Sequence, residues 1–386
     1  MIVKSNMKRL FIVTTIPRSF SFFESQIRYW ANSFDVCMLS SEKEELKFKA
    51  EKEGVKYKYL PMKREISILR DSFSLILFII YFICMRPYIV HGNTPKASML
   101  SMLAAWLTCR PVRIYMCHGL RYETATGMLL KVLKVMEWIS CHCATHVIGV
   151  SQGVVDKLVA DGLCPKHKIK VVGFGTAGGI NVERFSRDAI VESPNVRLEL
   201  NIPENSFVFC FVGRIVKDKG IDELVAAFDK LSQCTNHIYL LLIGSEEGET
   251  DSISSLTKDT IKTNGCILSL GRQDDVRPFI AASNALVLPS YREGVGQVIL
   301  EANALDVPCI ATDIIGPRDV IEPMINGELV KPRSVDALFE KMRDWTEHPD
   351  KVADMAKLSR AFVEARYEQG KVRKAYYNEY CKLAGL

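Results

Sequence analysis

Short runs rich in β-branched and aromatic residues alternate along the chain with longer amphipathic segments, and the alternation restarts once. Continuous apolar runs of strand length separated by segments of helical period predict βαβ units and parallel sheets. In the first half, strands are expected at 8–15, 35–40, 55–61, 88–92, 112–119, 146–151 and 169–173, with helices such as 96–108 and 127–144 between them. A polar, Pro-containing stretch from Arg187 to Asn201 precedes a second series, with strands at 207–214, 238–244, 266–271, 285–290, 308–312 and 327–330 and helices at 221–231 and 297–305. From Val335 to Leu386 the period is helical, with Tyr376, Tyr377 and Tyr380 near the end. The expected fold class is α/β, with two Rossmann-like, doubly wound domains: 1–188, 189–365, and a helical segment 366–386 packing back on the first domain. Ligands of such sheets bind beyond the carboxyl ends of the strands, so a deep cleft between two facing domains is where chemistry is expected.

One run departs from this pattern. Residues 72–85, SFSLILFIIYFICM, are almost unbroken in apolarity and end at Arg86-Pro87. A spanning helix needs about 20 such residues, so the run reads as a helix buried between a sheet and a covering layer. Its basic neighbours Lys63, Arg64 and Arg70 also suit a helix lying in a bilayer interface.

Charge sharpens that second possibility. The chain carries +5 overall, but Met1 to Phe185 holds 26 Lys and Arg against 14 Asp and Glu, and the remainder holds 24 against 31. A basic half joined to an acidic half suits an anionic partner for the first domain, such as a phospholipid surface or a phosphorylated substrate, although mixed-sign stretches such as 42–54 also fit a solvated face. No nucleic acid is expected as a partner. The 12 cysteines are scattered, often inside apolar runs, which suits a reducing cytoplasm, and the start of the chain reads as a first strand rather than a leader.

The sharpest chemical signal is 289-PSYREGVGQVILEANAL. Glu293 follows a strand and opens the turn Gly294-Val295-Gly296, which leads into a helix carrying Glu301. Glycines admit a phosphate close to the backbone, and a helix start offers free amides to an anion. The spacing sets the two carboxylates on different parts of one extended, hydroxyl-rich ligand. A second strand-to-helix junction, 211-FVGRIVKDKGIDELVAAF, places Arg214 and Lys219 where a developing diphosphate needs cations.

The E-x7-E string from Glu293 to Glu301, the GR-x4-KG string of Gly213, Arg214, Lys219 and Gly220, and Leu270-Gly271 resemble the retaining glycosyltransferases of family 4, which have the GT-B fold. The resemblance spans nearly the whole chain and is most specific from Phe207 to Pro332. It implies that Arg214 and Lys219 hold the donor diphosphate, Glu301 the ribose hydroxyls and Glu293 the transferred sugar. The amides of Val295 and Gly296, beside Gly294, would cap phosphate or sugar oxygens. Gly213 would lie at the diphosphate, Gly271 and Arg272 beside the base, and His118 near the donor sugar. On the acceptor side it points to Ser19, Phe20, Arg121, Tyr122 and Glu123, and to Ser151 and Gly175 to Gly179 at the cleft floor.

Within the family, 117-CHGLRYE, 150-VSQGVVDKL and 173-GFGTAGGINVERF resemble bacterial enzymes that extend lipid-linked oligosaccharides for capsule or O-antigen. The implied partners are a nucleoside diphosphate sugar, UDP-linked by preference, a lipid-linked glycan and the cytoplasmic face of the plasma membrane. The implied mechanism uses no metal and no cofactor. Two departures bear on specificity: the first loop reads 15-TIPRSFSFF where many members carry paired glycines, and the later donor loop reads 315-IGPRDVI. The Cys-His-Cys cluster of Cys141, His142, Cys143 and His146 has ligands too adjacent to close around one tetrahedral zinc. A sugar-nucleotide epimerase of the same fold and a non-catalytic nucleotide-sugar-binding subunit are the rival readings.

Overall fold

The computed structural model describes residues 7–63, 65–191, 195–246 and 251–386, so Arg64 lies outside the described residues. The chain divides into two compact units, Met1–Gly179 with Gly370–Leu386, and Ile180–Gln369. Both crossings fall at one place in the second unit, where Ile180 bridges Glu368 and the Gln369 amide donates to the Ile180 carbonyl at 2.8 Å. The divisions therefore fall after Gly179 and Gln369, where the expected boundaries were 188 and 365.

The first unit is built on a seven-stranded parallel sheet. Its strands are β1 (Arg9–Val13), β2 (Asp35–Ser40), β3 (Lys56–Tyr59), β4 (Ile89–Asn93), β5 (Val112–Cys117), β6 (His146–Gly149) and β7 (Ile169–Val171), in the order β3-β2-β1-β4-β5-β6-β7. Helices on both faces explain why β1 reads Leu10 to Val13 without a polar residue: a parallel sheet has no wet side. β4 carries His91, Gly92 and Asn93, all buried. A Cβ on Gly92 would lie 2.9 Å from the Ser98 Cα, so the glycine lets helix Pro95–Leu107 press onto the strand.

Helix Gln369–Ala384 closes this unit. Tyr376 and Tyr380 are fully buried; the Tyr376 hydroxyl donates to the Thr176 carbonyl at 2.8 Å and Tyr380 meets His91 Nδ1 at 2.9 Å. Burial holds the His91 imidazole neutral by lowering its pKa to about 3.

Helix Ile68–Met85 corrects an expectation. By length and composition it could cross a membrane, and no covering layer of this chain surrounds it. Only the row Asp71, Ser74, Phe78 and Phe82, spaced as one helical face, is buried. Asp71 meets Lys96 at 2.8 Å and caps the Ser67 amide at 3.0 Å, tying the helix to helix Pro95–Leu107. Phe73, Ile76, Ile80 and Ile83 are each more than half exposed. An unbroken apolar run has no period from which to read the covered face, so the sequence alone overstated its burial.

The second unit has six parallel strands, β8 (Phe207–Val212), β9 (Ile238–Ile243), β10 (Ile267–Gly271), β11 (Ala285–Leu288), β12 (Cys309–Thr312) and β13 (Gly327–Val330), in the order β10-β9-β8-β11-β12-β13. The order reverses between β8 and β11. The loops leaving these two strands therefore stand side by side at the switch point, where doubly wound sheets bind ligands.

Candidate active site

Backbone contacts closer than any side chain would allow bring the second unit's motifs together. A Cβ on Gly220, which sits at φ +69°, would lie 2.1 Å from the Pro289 carbonyl oxygen. A Cβ on Gly316 would lie 2.9 Å from the Gly294 carbonyl. Only glycine admits either approach, so the loops after β8, β11 and β12 are pressed into one surface. Hydrogen bonds fix it: the Tyr291 amide donates to the Asp218 carbonyl at 2.9 Å, Arg292 meets the Asp218 carboxylate at 3.0 Å, and Thr312 Oγ1 donates to the Ser290 carbonyl at 2.5 Å. On the other side of β8, the Gly213 amide donates to Ile243 and the Gly244 amide to Gly271, so Gly213 and Gly271 lie along one row of strand ends.

On this surface Lys219 Nζ stands 2.5 Å from Glu293 Oε1, both side chains mostly shielded from water. Two motifs 74 residues apart thus meet at one charged contact. Lys219 ends a single turn of 3-10 helix, Lys217–Lys219, just before helix Ile221–Ser232. Arg214, on the same loop, is exposed, as is Arg272 after β10. Val295 is buried beside Gly296, which takes φ +80° as the cap of helix Gln297–Ala304.

Glu301 lies on that helix and keeps some solvent contact, but burial pushes its pKa up to about 7, with Arg184 pulling it back down. A carboxyl poised there changes charge near neutrality. In the later loop Arg318 is held by Asp313 at 2.7 Å and stands exposed.

The first unit presents its own strand ends. His118 follows β5, and its Nε2 meets Asn93 Oδ1 at 3.0 Å at the end of β4. The Asn93 amide nitrogen faces the His91 carbonyl, so Oδ1 is the acceptor and His118 Nε2 carries the proton. Burial lowers the His118 pKa to about 4, which leaves it neutral with Nδ1 as a free-pair acceptor. Phe22 stacks on the imidazole with centroids 4.8 Å apart.

The acceptor-side residues fall in different settings. Phe20 is buried and Ser19 partly exposed; the first-loop aromatics that reach His118 are Phe22, stacked on it, and Phe23, edge-on with centroids 5.8 Å apart. Tyr122 is buried with Lys134 Nζ 5.3 Å over its ring, between an exposed Arg121 and a partly exposed Glu123. The Ser151 hydroxyl accepts from the Val154 amide at 3.4 Å, the ordinary duty of a helix N-cap. Gly175 and Gly178 allow close chain passage, with Cβ positions 2.5 Å from the Val150 oxygen and 2.3 Å from the Phe22 oxygen. Cys141 and Cys143 are buried, and His142 stacks on Trp138 at 4.8 Å.

Two family models match: Glycosyltransferase Family 4 over residues 24–176 and Glycosyl transferases group 1 over residues 192–362. A Staphylococcus aureus relative, the capsular polysaccharide biosynthesis glycosyltransferase CapM, is 35% identical over 336 residues, covering 87% of each chain. The chain belongs to glycosyltransferase family 4. An Escherichia coli relative, UDP-Gal:alpha-D-GlcNAc-diphosphoundecaprenol alpha-1,3-galactosyltransferase, is 26% identical over 296 residues, 76% of this chain and 74% of its own. The solved Anabaena Alr3699/HepE in complex with UDP superposes with a TM-score of 0.79 at 20% identity, covering 98% of this chain and all of that one. The fold of this glycosyltransferase is GT-B.

In the glycosyltransferase, sequence reasoning missed Asp218, Arg292 and Arg184 in the second unit and Asn93 and Phe22 in the first. Asp218 and Arg292 lie inside the two strings already singled out, which was a usable signal. Asn93 carried none, since a buried Asn at a strand end is recognised only through the side chain it faces.

Proposed function

We propose that this glycosyltransferase moves a hexose or N-acetylhexosamine, with retention, from a UDP-sugar to a saccharide carried on a polyprenyl diphosphate. It would work as a peripheral protein on the inner face of the bacterial plasma membrane, in capsule or related surface-polysaccharide assembly. The observation that carries the reading is the contact of Lys219 with Glu293 on the glycine-pressed surface at the carboxyl ends of β8 and β11. Support comes from solved structures of the same fold that hold UDP and UDP-glucose, and from the E. coli relative, whose name specifies a UDP-linked donor and a diphosphoundecaprenol acceptor.

In this reading Lys219 and Arg214 neutralise the diphosphate as the bond from the anomeric carbon to the β-phosphate oxygen breaks. Glu293 orients the sugar and, through its contact with Lys219, couples sugar position to leaving-group charge. Glu301 accepts from the ribose hydroxyls. His118, neutral and fixed by Asn93, offers a hydrogen-bonding edge to the sugar. The acceptor hydroxyl attacks on the face the phosphate leaves, and its proton passes to the departing phosphate oxygen. No metal or cofactor is assigned to these steps, whose charge the cations carry.

The test is a donor screen: purified protein, bacterial lipid extract, and UDP-glucose, UDP-galactose, UDP-N-acetylglucosamine or GDP-mannose in separate reactions. The expected result is UDP release that depends on the lipid extract and a product α-linked from an α-linked donor. Transfer from GDP-mannose alone, or a β-linked product, contradicts it; interconversion of the UDP-sugar without acceptor marks an epimerase.

A further inference from the structure

Beside the exposed apolar helix, the first unit opens a cavity of about 960 Å³. Lys43, Lys63, Arg70, Leu69 and Phe73 are among the residues that line it. This is the size of natural small-molecule sites, about 300–1,000 Å³. It lies off the carboxyl ends of β1, β2 and β3, the edge on which β4 and β5 present Asn93 and His118.

Its walls are fastened. The Ser41 hydroxyl donates to the Thr15 carbonyl at 2.6 Å, Ser74 to the Pro61 carbonyl, and Lys96 to both the Glu65 carbonyl and the Asp71 carboxylate. Its chemistry is divided. Lys43, Lys63 and Arg70 stand exposed, and among the described residues none of them makes an ion pair. The carboxylates of Glu42 and Glu65 leave the lining a net cation. Leu69 and Phe73 form the opposite part of the rim, and Ile76, Ile80 and Ile83 continue the apolar line along helix Ile68–Met85 for roughly 20 Å.

A cationic pocket that runs without a break into an exposed apolar track matches an amphiphile with a compact anionic head and a long hydrocarbon tail. We infer that this groove seats the diphosphate of the acceptor lipid between Lys43, Lys63 and Arg70 and leads its polyprenyl chain past Leu69 and Phe73 onto the helix face. The inference rests on the polyprenyl diphosphate acceptor proposed above. Arginine grips a phosphate through paired N–H groups and lysine as a point charge, so the three cations recognise the diphosphate and not the glycan. Sequence from Lys56 to Arg110 supports the same orientation, with eight Lys and Arg against two acids.

The experiment measures binding of the full chain to phosphatidylcholine vesicles carrying either a long-chain polyprenyl diphosphate or phosphatidylglycerol at matched surface charge. Wild type is expected to prefer the polyprenyl diphosphate vesicles by at least about tenfold. The triple variant Lys43→Ala, Lys63→Ala, Arg70→Ala should bring that ratio close to unity. Ile80→Ser should weaken binding to both compositions and keep the ratio, which separates loss of head-group recognition from loss of apolar contact. Unfolding midpoints within roughly 2 °C of wild type confirm that the variants fold. A wild-type ratio near unity, or a ratio the triple variant leaves unchanged, overturns the groove assignment alone. Failure to bind either vesicle overturns the membrane reading on which it rests.

Discussion

The two units share a parallel, doubly wound sheet, but they build their strand-end surfaces from different materials. In the second unit the surface is made by backbone: Gly220 lies against Pro289, Gly316 against Gly294, and Gly213 and Gly271 share one row of strand ends. The contacts at Gly220 and Gly316 tolerate no side chain, and on the surface they form Lys219 meets Glu293. The first unit has such contacts too, at Gly175 and Gly178, but the groups it presents at its strand ends are side chains: His118 on Asn93, Phe22 on His118, and an apolar helix face turned outward. A ligand common to many enzymes, a nucleoside diphosphate, suits the first construction, whereas an acceptor that differs from enzyme to enzyme suits the second. In the proposed reading, rigid backbone serves the shared donor chemistry and exchangeable side chains serve the particular acceptor.

The sharpest way to break this contrast is at the backbone contacts. Gly220→Val puts a β-branched side chain at φ +69° against the Pro289 oxygen, so activity should fall below detection and the second unit should lose stability by more than about 2 kcal/mol; thermal unfolding and turnover check it. Removing the cation with Lys219→Ala should lower kcat by about 10²–10³ without unfolding the chain. Side-chain surfaces should yield more gradually. Asn93→Ala frees the His118 ring and should cost about threefold to tenfold in kcat, the worth of one hydrogen bond, read as a kcat change at constant KM for the UDP-sugar.

The pH dependence discriminates between the units. Glu301 has its pKa raised from 4.5 to about 7, so the folded state prefers it protonated. That preference stabilises the fold at pH below the ordinary value and is lost as pH rises through about 7. In the proposed role Glu301 accepts from ribose hydroxyls as a carboxylate, so UDP affinity should strengthen from pH 6 to 8, a window set by the pKa of about 7, and Glu301→Gln should flatten the curve in calorimetric titrations. His118, held near 4, contributes no inflection in that window. The smallest effect belongs to the outward helix face, where Ile80→Ser should change stability by no more than about 0.5 kcal/mol.

The same contrast explains what the sequence disclosed. Most strands from Arg9–Val13 to Gly327–Val330 stood where an apolar run stood, because strands buried on both faces carry uninterrupted apolar residues, whereas the edge strand Lys56–Tyr59 is polar and largely exposed. Glycines and charges of the second unit were legible for the same reason: a contact that only glycine permits leaves glycine in the sequence. The outward face of helix Ile68–Met85 was not legible, since Phe78 and Phe82 inside look like Ile76 and Ile80 outside. Nor was the partnership of His118 with Asn93 or the choice of Phe22 and Phe23 over Phe20, because each depends on where neighbouring strands end. The meeting of Lys219 with Glu293 lay between the two cases, with both residues visible and their contact not.

Turnover of a UDP-sugar in the presence of lipid-linked acceptor, compared among wild type, Lys219→Ala, Glu293→Gln and the double variant, tests the central assignment most directly. If the contact forms the working donor site, each single change should lower kcat by roughly a hundredfold or more, and the double change should cost far less than the product of the two. Turnover within a few-fold of wild type in either single variant would contradict it.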